Sequence, residues 1–121
     1  MNVERLKDAG VEYDRGVKRF MGRAHLYEKT LSKFTSDTTF SRMREAYASG
    51  DRERLLADVH EFKGMCGNIA LPPLYEAADE MVRLLRSGAC TDEALAAVYG
   101  RLETEYHTVH EAVLAAMEDS L

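Results

Sequence analysis

The chain has 121 residues, which fits one domain whose core needs no disulfide or metal staple. Proline (2) and glycine (8) are too few for a disordered or fibrous chain. The formal charge of −5 lacks the basic excess of a nucleic-acid binder, and no run of 18 apolar residues offers a membrane span.

Residues 2–8 read as a weak short helix, and 13–21 as another with Val17, Phe20 and Met21 apolar. A long helical stretch covers 24–48, with Leu26, Tyr27, Leu31, Phe34, Met43 and Tyr47 inward. The polar run Thr35-Ser36-Asp37-Thr38-Thr39 either kinks that stretch or splits it in two, with Asp37 capping the second half. Ser49-Gly50 stops it and Asp51 caps the next helix, 51–70. Pro72 supplies the first-turn proline of a helix that runs to Arg86, with Leu74, Ala77, Ala78, Met81, Leu84 and Leu85 facing inward. Ser87-Gly88 ends it. Thr91 caps the last helix, whose seam is Leu95, Val98, Leu102, Tyr106, Val109, Val113 and Met117.

No segment alternates with period two, so the expected class is all-α. The four segments 24–48, 51–70, 72–86 and 91–117 predict an antiparallel up-and-down four-helix bundle. Its core covers about residues 22–119, with 2–21 as short accessory helices, all in one domain of residues 1–121. Met1–Asp8 lacks the apolar core of a signal peptide, and Cys66 and Cys90 make no disulfide framework. A cytoplasmic, free-standing monomer is the default expectation.

The helix over 51–70 carries an unusual exposed face. Leu55, Val59, Phe62, Cys66 and Ile69 recur at steps of four and three and form its buried seam. At 100° per residue, His60 projects roughly 140° from the centre of that seam. Its neighbours on the outer face are Ala57, Gly64 and Gly67, all small, with Lys63 one turn along at the flank. A glycine costs about 1 kcal/mol in a helix interior. These two lie off the seam, so their expected use is to clear bulk around the imidazole for another protein; the alternative is that they let a neighbouring helix of the same domain cross there. Met65 and Asn68 border the clearing. An unprotonated imidazole nitrogen is a nucleophile near neutral pH, and a lysine ammonium beside it attracts a phosphoryl group.

His60-Glu61-Phe62-Lys63-Gly64, followed by Gly67, Asn68, Ile69, Leu71 and Leu74, closely resembles the histidine-containing phosphotransfer (HPt) family. Gly10-Val11, Phe20, Leu26-Tyr27, Ala48-Ser49-Gly50-Asp51 and the stretch Leu74–Arg86 extend the resemblance over nearly the whole chain. The resemblance implies a phosphorelay intermediate in two-component signalling, with His60 as phosphoryl acceptor and Lys63 as its electrostatic support. Ala57, Gly64, Gly67, Met65 and Asn68 would form the docking surface. The implied partners are response-regulator receiver domains and a hybrid sensor histidine kinase. The receiver would bring the phospho-aspartate and a magnesium ion (Mg2+), so no cofactor is expected on this chain. Two positions depart from the family. Ala70 stands where glycine is frequent, ahead of Pro72-Pro73. Val82 stands, by ungapped count, where a Glu or Gln often approaches the ring, with Asp79 or Arg83 as neighbours able to replace it.

Competing chemistries are poorly supplied. There is no glycine-rich phosphate loop and no Walker-type run, so ATP has no seat and the chain is expected to be a carrier, not an enzyme. His107 and His110 lie three apart beside Glu103 and Glu111, but no helix carries the Glu-x-x-His pair of a di-iron bundle, so no metal site is expected. His25 reads as a surface residue, and Arg83 and Arg86 as solvated residues within reach of the clearing. The rival to phosphotransfer is a degenerate HPt module that docks a receiver or kinase without carrying phosphate.

Overall fold

A computed structural model describes residues 1–119. Those residues are helical without a strand: α1 Val3–Asp8, α2 Tyr13–Arg19, α3 Ala24–Lys33, a single 3₁₀ turn at Phe34–Ser36, α4 Thr39–Ser49, α5 Arg52–Asn68, α6 Pro72–Arg86 and α7 Asp92–Glu118. The all-α expectation holds, and the polar run at 35–39 splits the long stretch rather than kinking it. The Asp37 carboxylate accepts from the Thr39 amide at 2.8 Å, one residue ahead of the geometric cap, Thr38. Elsewhere the caps fall where the sequence places them. Asp51 accepts from the Arg54 amide, Thr91 accepts from the Ala94 amide, and Gly50 ends α4 in the left-handed conformation.

Helix α5 packs between α4 and α6, and α7 packs on α6. Arg54 reaches Glu45 while Arg42 reaches Glu61, so α4 and α5 run in opposite directions. Phe40 stacks on Tyr106 and Tyr47 on Tyr99, with ring centroids 3.9 and 4.0 Å apart, which sets α4 against α7 the same way. One continuous apolar cluster fills the interior, and the α5 seam of Leu55, Val59, Phe62, Cys66 and Ile69 is wholly inside it. Val82, Tyr99 and Ala116 join the core unforeseen, while Tyr47, Leu84, Leu85, Val98, Tyr106 and Met117 are only partly buried and Leu26, expected inward, is exposed because α3 turns Tyr27 and Leu31 to the core instead. Among the described residues, no helix is long and apolar enough to cross a membrane.

Tyr27 ties the N-terminal helices to the end of α5. Its ring is buried, lies against Tyr13 and Phe20, and its hydroxyl donates to the Ile69 carbonyl at 2.8 Å. Gly16 on α2 permits this, since a Cβ there would sit 2.2 Å from the Tyr27 ring. Gly16→Ala therefore forces an overpacked contact and should cost about 1–3 kcal/mol, read as a lower urea midpoint.

Burial pushes the Tyr27 phenol well above its ordinary value. Burial first, and then a hydrogen bond to Glu28, push Tyr13 up to about 12. The unfolded chain ionises its tyrosines near pH 10, where the folded chain still holds these protons. The contribution of Tyr13 is whole below about pH 10 and is lost as the pH climbs toward 12, and that of the more strongly shifted Tyr27 falls through the same window and beyond it. Urea midpoints should fall across that window, and less steeply in Tyr13→Phe.

Candidate functional site

Burial of the α5 seam fixes the rotation of the helix, and with it the direction of its opposite face. His60 lies at the midpoint of α5 and is exposed. Among the described residues its ring has no hydrogen-bond or ion-pair partner. Ala57 and Gly64 are also exposed, and a Cβ built at Gly64 meets nothing within 4 Å. Internal packing therefore gives no reason for Gly64, and the clearing reading stands on geometry at that position.

Gly67 is different. A Cβ there would lie 3.3 Å from Cδ2 and Cε2 of Tyr75 on α6. Its small size admits that ring as well as thinning the surface, which corrects the view that both glycines serve the clearing alone. Met65 is half-buried and faces Phe34 and Asp37 across a small groove, on the flank of α5 next to the 3₁₀ turn. It is turned away from the face that Ala57, His60 and Gly64 share. Asn68 is exposed and borders both that groove and a larger one of about 430 Å³ on the other side. The larger groove adjoins Gly64 and Gly67 and is walled by Arg15 and Arg19 of α2 and by Tyr75. The surroundings of His60 are thus a convex helix face beside a concave flank of mixed charge, where Glu12 and Glu76 stand with Arg15 and Arg19.

Lys63 does not extend freely toward the imidazole. Its ammonium sits 3.0 Å from Oδ1 of Asp79 and 5.6 Å from the centroid of the Tyr75 ring. The other Asp79 oxygen, Oδ2, accepts from Arg83 Nε at 2.9 Å and from its Nη2. The Arg83 guanidinium, and after it Lys63, hold the Asp79 carboxyl below its ordinary value. Asp79 and Arg83 are therefore committed to Lys63 and to each other, and of the two alternatives, a missing ring partner or one of these neighbours in its place, the structure has neither neighbour on the ring.

Tyr75 opposite Gly67 and Asp79 opposite Lys63 define an antiparallel register between α6 and α5. Carried one turn further, that register sets Val82 opposite His60. Val82 is buried and offers no polar atom. The turn that sets the register has Ala70 at φ +59°, in the left-handed region, a conformation that glycine adopts more readily than alanine. Sequence reasoning missed Tyr75 and the ion pair of Asp79 with Lys63. Both are cross-helix contacts, visible only once the register of α5 against α6 is known.

A family model described as Hpt domain matches residues 31–118. No curated protein and no solved structure matches the chain.

Gly64→Ala should stabilise the fold by up to about 1 kcal/mol, the helix-propensity gain with no steric charge against it. Gly67→Ala should gain less, because the Tyr75 ring must give way. Equal gains in urea denaturation would remove the distinction drawn between the two glycines.

Proposed function

The chain belongs to the Hpt domain family, and from that membership we propose that it is a phosphorelay intermediate with His60 as its phosphoryl acceptor. The family implies histidine phosphotransfer in two-component signalling. We read the architecture as an antiparallel up-and-down four-helix bundle, α4 to α7, with α3 prolonging α4 and with α1 and α2 as accessories. Residues 1–121 form one Hpt-like domain in this reading. The observation that carries the proposal is His60 itself, exposed at the centre of α5, unpartnered among the described residues and next to a glycine whose missing side chain nothing in the fold requires.

In this reading a receiver domain docks over the face made by Ala57, His60 and Gly64, with Asn68 and Gly67 at its edge. The receiver brings the phospho-aspartate and Mg2+, and this chain supplies no cofactor. The unprotonated ring nitrogen of His60 attacks phosphorus in line. The bond from phosphorus to the aspartyl oxygen breaks as the bond from phosphorus to nitrogen forms, and the aspartate leaves as a carboxylate. The other ring nitrogen keeps its proton through the attack. Transfer to a second receiver reverses these steps. In-line geometry demands close approach of two protein surfaces, which a bare helix face permits and a bulky one prevents. The domain is a carrier without kinase or phosphatase machinery of its own, and a hybrid sensor histidine kinase lies upstream. A cytoplasmic monomer fits this role.

The alternative is a degenerate module that docks such partners without carrying phosphate, and Val82 opposite His60 speaks for it. One experiment separates the two. Incubated with a phosphorylated receiver domain, the protein should acquire an acid-labile, base-stable label. His60→Gln should lose that label completely while keeping its thermal midpoint and its affinity for the receiver. A label that survives in His60→Gln would reassign the site, and no label on the unaltered protein would favour the docking module.

A further inference from the structure

Lys63 is held by a carboxylate that would have to release it for Lys63 to serve a phosphoryl group on His60. Its ammonium is drawn along α6 to Asp79, so reaching a phosphoryl group on His60 calls for a different side-chain rotamer. The two residues are three apart on α5, so their side chains start as surface neighbours, and a change of Lys63 rotamer brings the ammonium to either side. The pairing of Asp79 is divided between its two oxygens. Oδ1 faces Lys63 and Oδ2 faces Arg83, which is four residues along on the same helix. If Lys63 leaves, the carboxylate keeps one cation.

We infer that Asp79 is a positioning residue that parks Lys63 away from the bare imidazole, and that Arg83 lowers the cost of its release to a phosphoryl group on His60. This rests on the acceptor role proposed for His60. In the unmodified protein Lys63 lies along α6, against Tyr75 and Asp79, and leaves the imidazole open to a docking surface. Once His60 carries the phosphoryl group, a dianion competes with a carboxylate that Arg83 already half neutralises, and Lys63 exchanges toward the phosphate. The two neighbours of Lys63 therefore act with opposite signs. Removing the Asp79 charge frees Lys63, whereas removing Arg83 leaves Asp79 with Lys63 alone and tightens its hold.

The test loads His60 with phosphoramidate, a small donor that needs no partner protein, and follows ionisation of the bound phosphoryl group by phosphorus NMR. A nearby ammonium favours the dianion. Asp79→Asn should raise the acid dissociation constant of the phosphoryl group about two- to fivefold, the range carried by an exposed ion pair. Arg83→Ala should lower it by a smaller factor, and Asp79→Glu should restore the unaltered value. Both effects should vanish in a Lys63→Ala background. Effects that persist there are through-space fields of Asp79 and Arg83 and overturn the exchange, as do shifts of the same sign in Asp79→Asn and Arg83→Ala. Where phosphoramidate leaves His60 unlabelled, a phosphorylated receiver domain loads it instead; failure of both donors on the unaltered protein removes the acceptor role as well, so the two failures are told apart.

Discussion

The burial of one stripe of α5 governs what the rest of the molecule can do. Leu55, Val59, Phe62, Cys66 and Ile69 are inside the core, and a helix has no freedom to rotate once such a stripe is buried. A fully buried Leu or Phe side chain is worth roughly 1.5–3 kcal/mol, so turning His60 inward would expose several such groups together. The outward imidazole is therefore a consequence of its neighbours at steps of three and four, and no contact to the ring itself is needed to hold it there. Among the described residues that ring has no partner, so no hydrogen bond or ion pair has to be given up for it to meet another molecule.

The charges around the site are arranged by α6 rather than by α5. Asp79 collects Lys63 and Arg83 on separate oxygens, and Tyr75 lies against both Gly67 and the Lys63 ammonium. These groups are partly solvated, and each pair taken alone contributes little to stability. Their significance is directional, since they decide where a long, flexible cation spends its time. The neutral interior at Val82 then means that the ring opposite it is oriented by the helix backbone and by its own rotamer preferences.

Much of this was legible in the residues. The α5 seam, the caps at Asp51 and Thr91, the stop at Gly50 and the proline start of α6 are local signals, each determined within one or two turns of chain. His60 could be placed outward by the same local arithmetic. The break at 35–39 was visible as a weakness in the pattern, but whether a polar run bends or splits a helix depends on what packs over it. Here His110 Nε2 lies 3.1 Å from the Thr35 carbonyl and Phe34 packs against Tyr106. The second purpose of Gly67, the aspect of Met65 and the capture of Lys63 were not legible, because each depends on which residue of another helix lies opposite.

The left-handed Ala70 closes a connection of only three residues between α5 and α6. A link that short leaves no slack, so it behaves as a mechanical stop that indexes one helix against the other. Lys63 and Asp79 meet about 10 Å away from it, at a rise of 1.5 Å per residue, and their meeting is set by that stop. A residue inserted between Asn68 and Pro72 would slide every pair across the α5–α6 seam out of alignment, whereas the same insertion between Arg86 and Asp92 would leave that seam untouched. Length variation should therefore be tolerated at one end of α6 and not at the other.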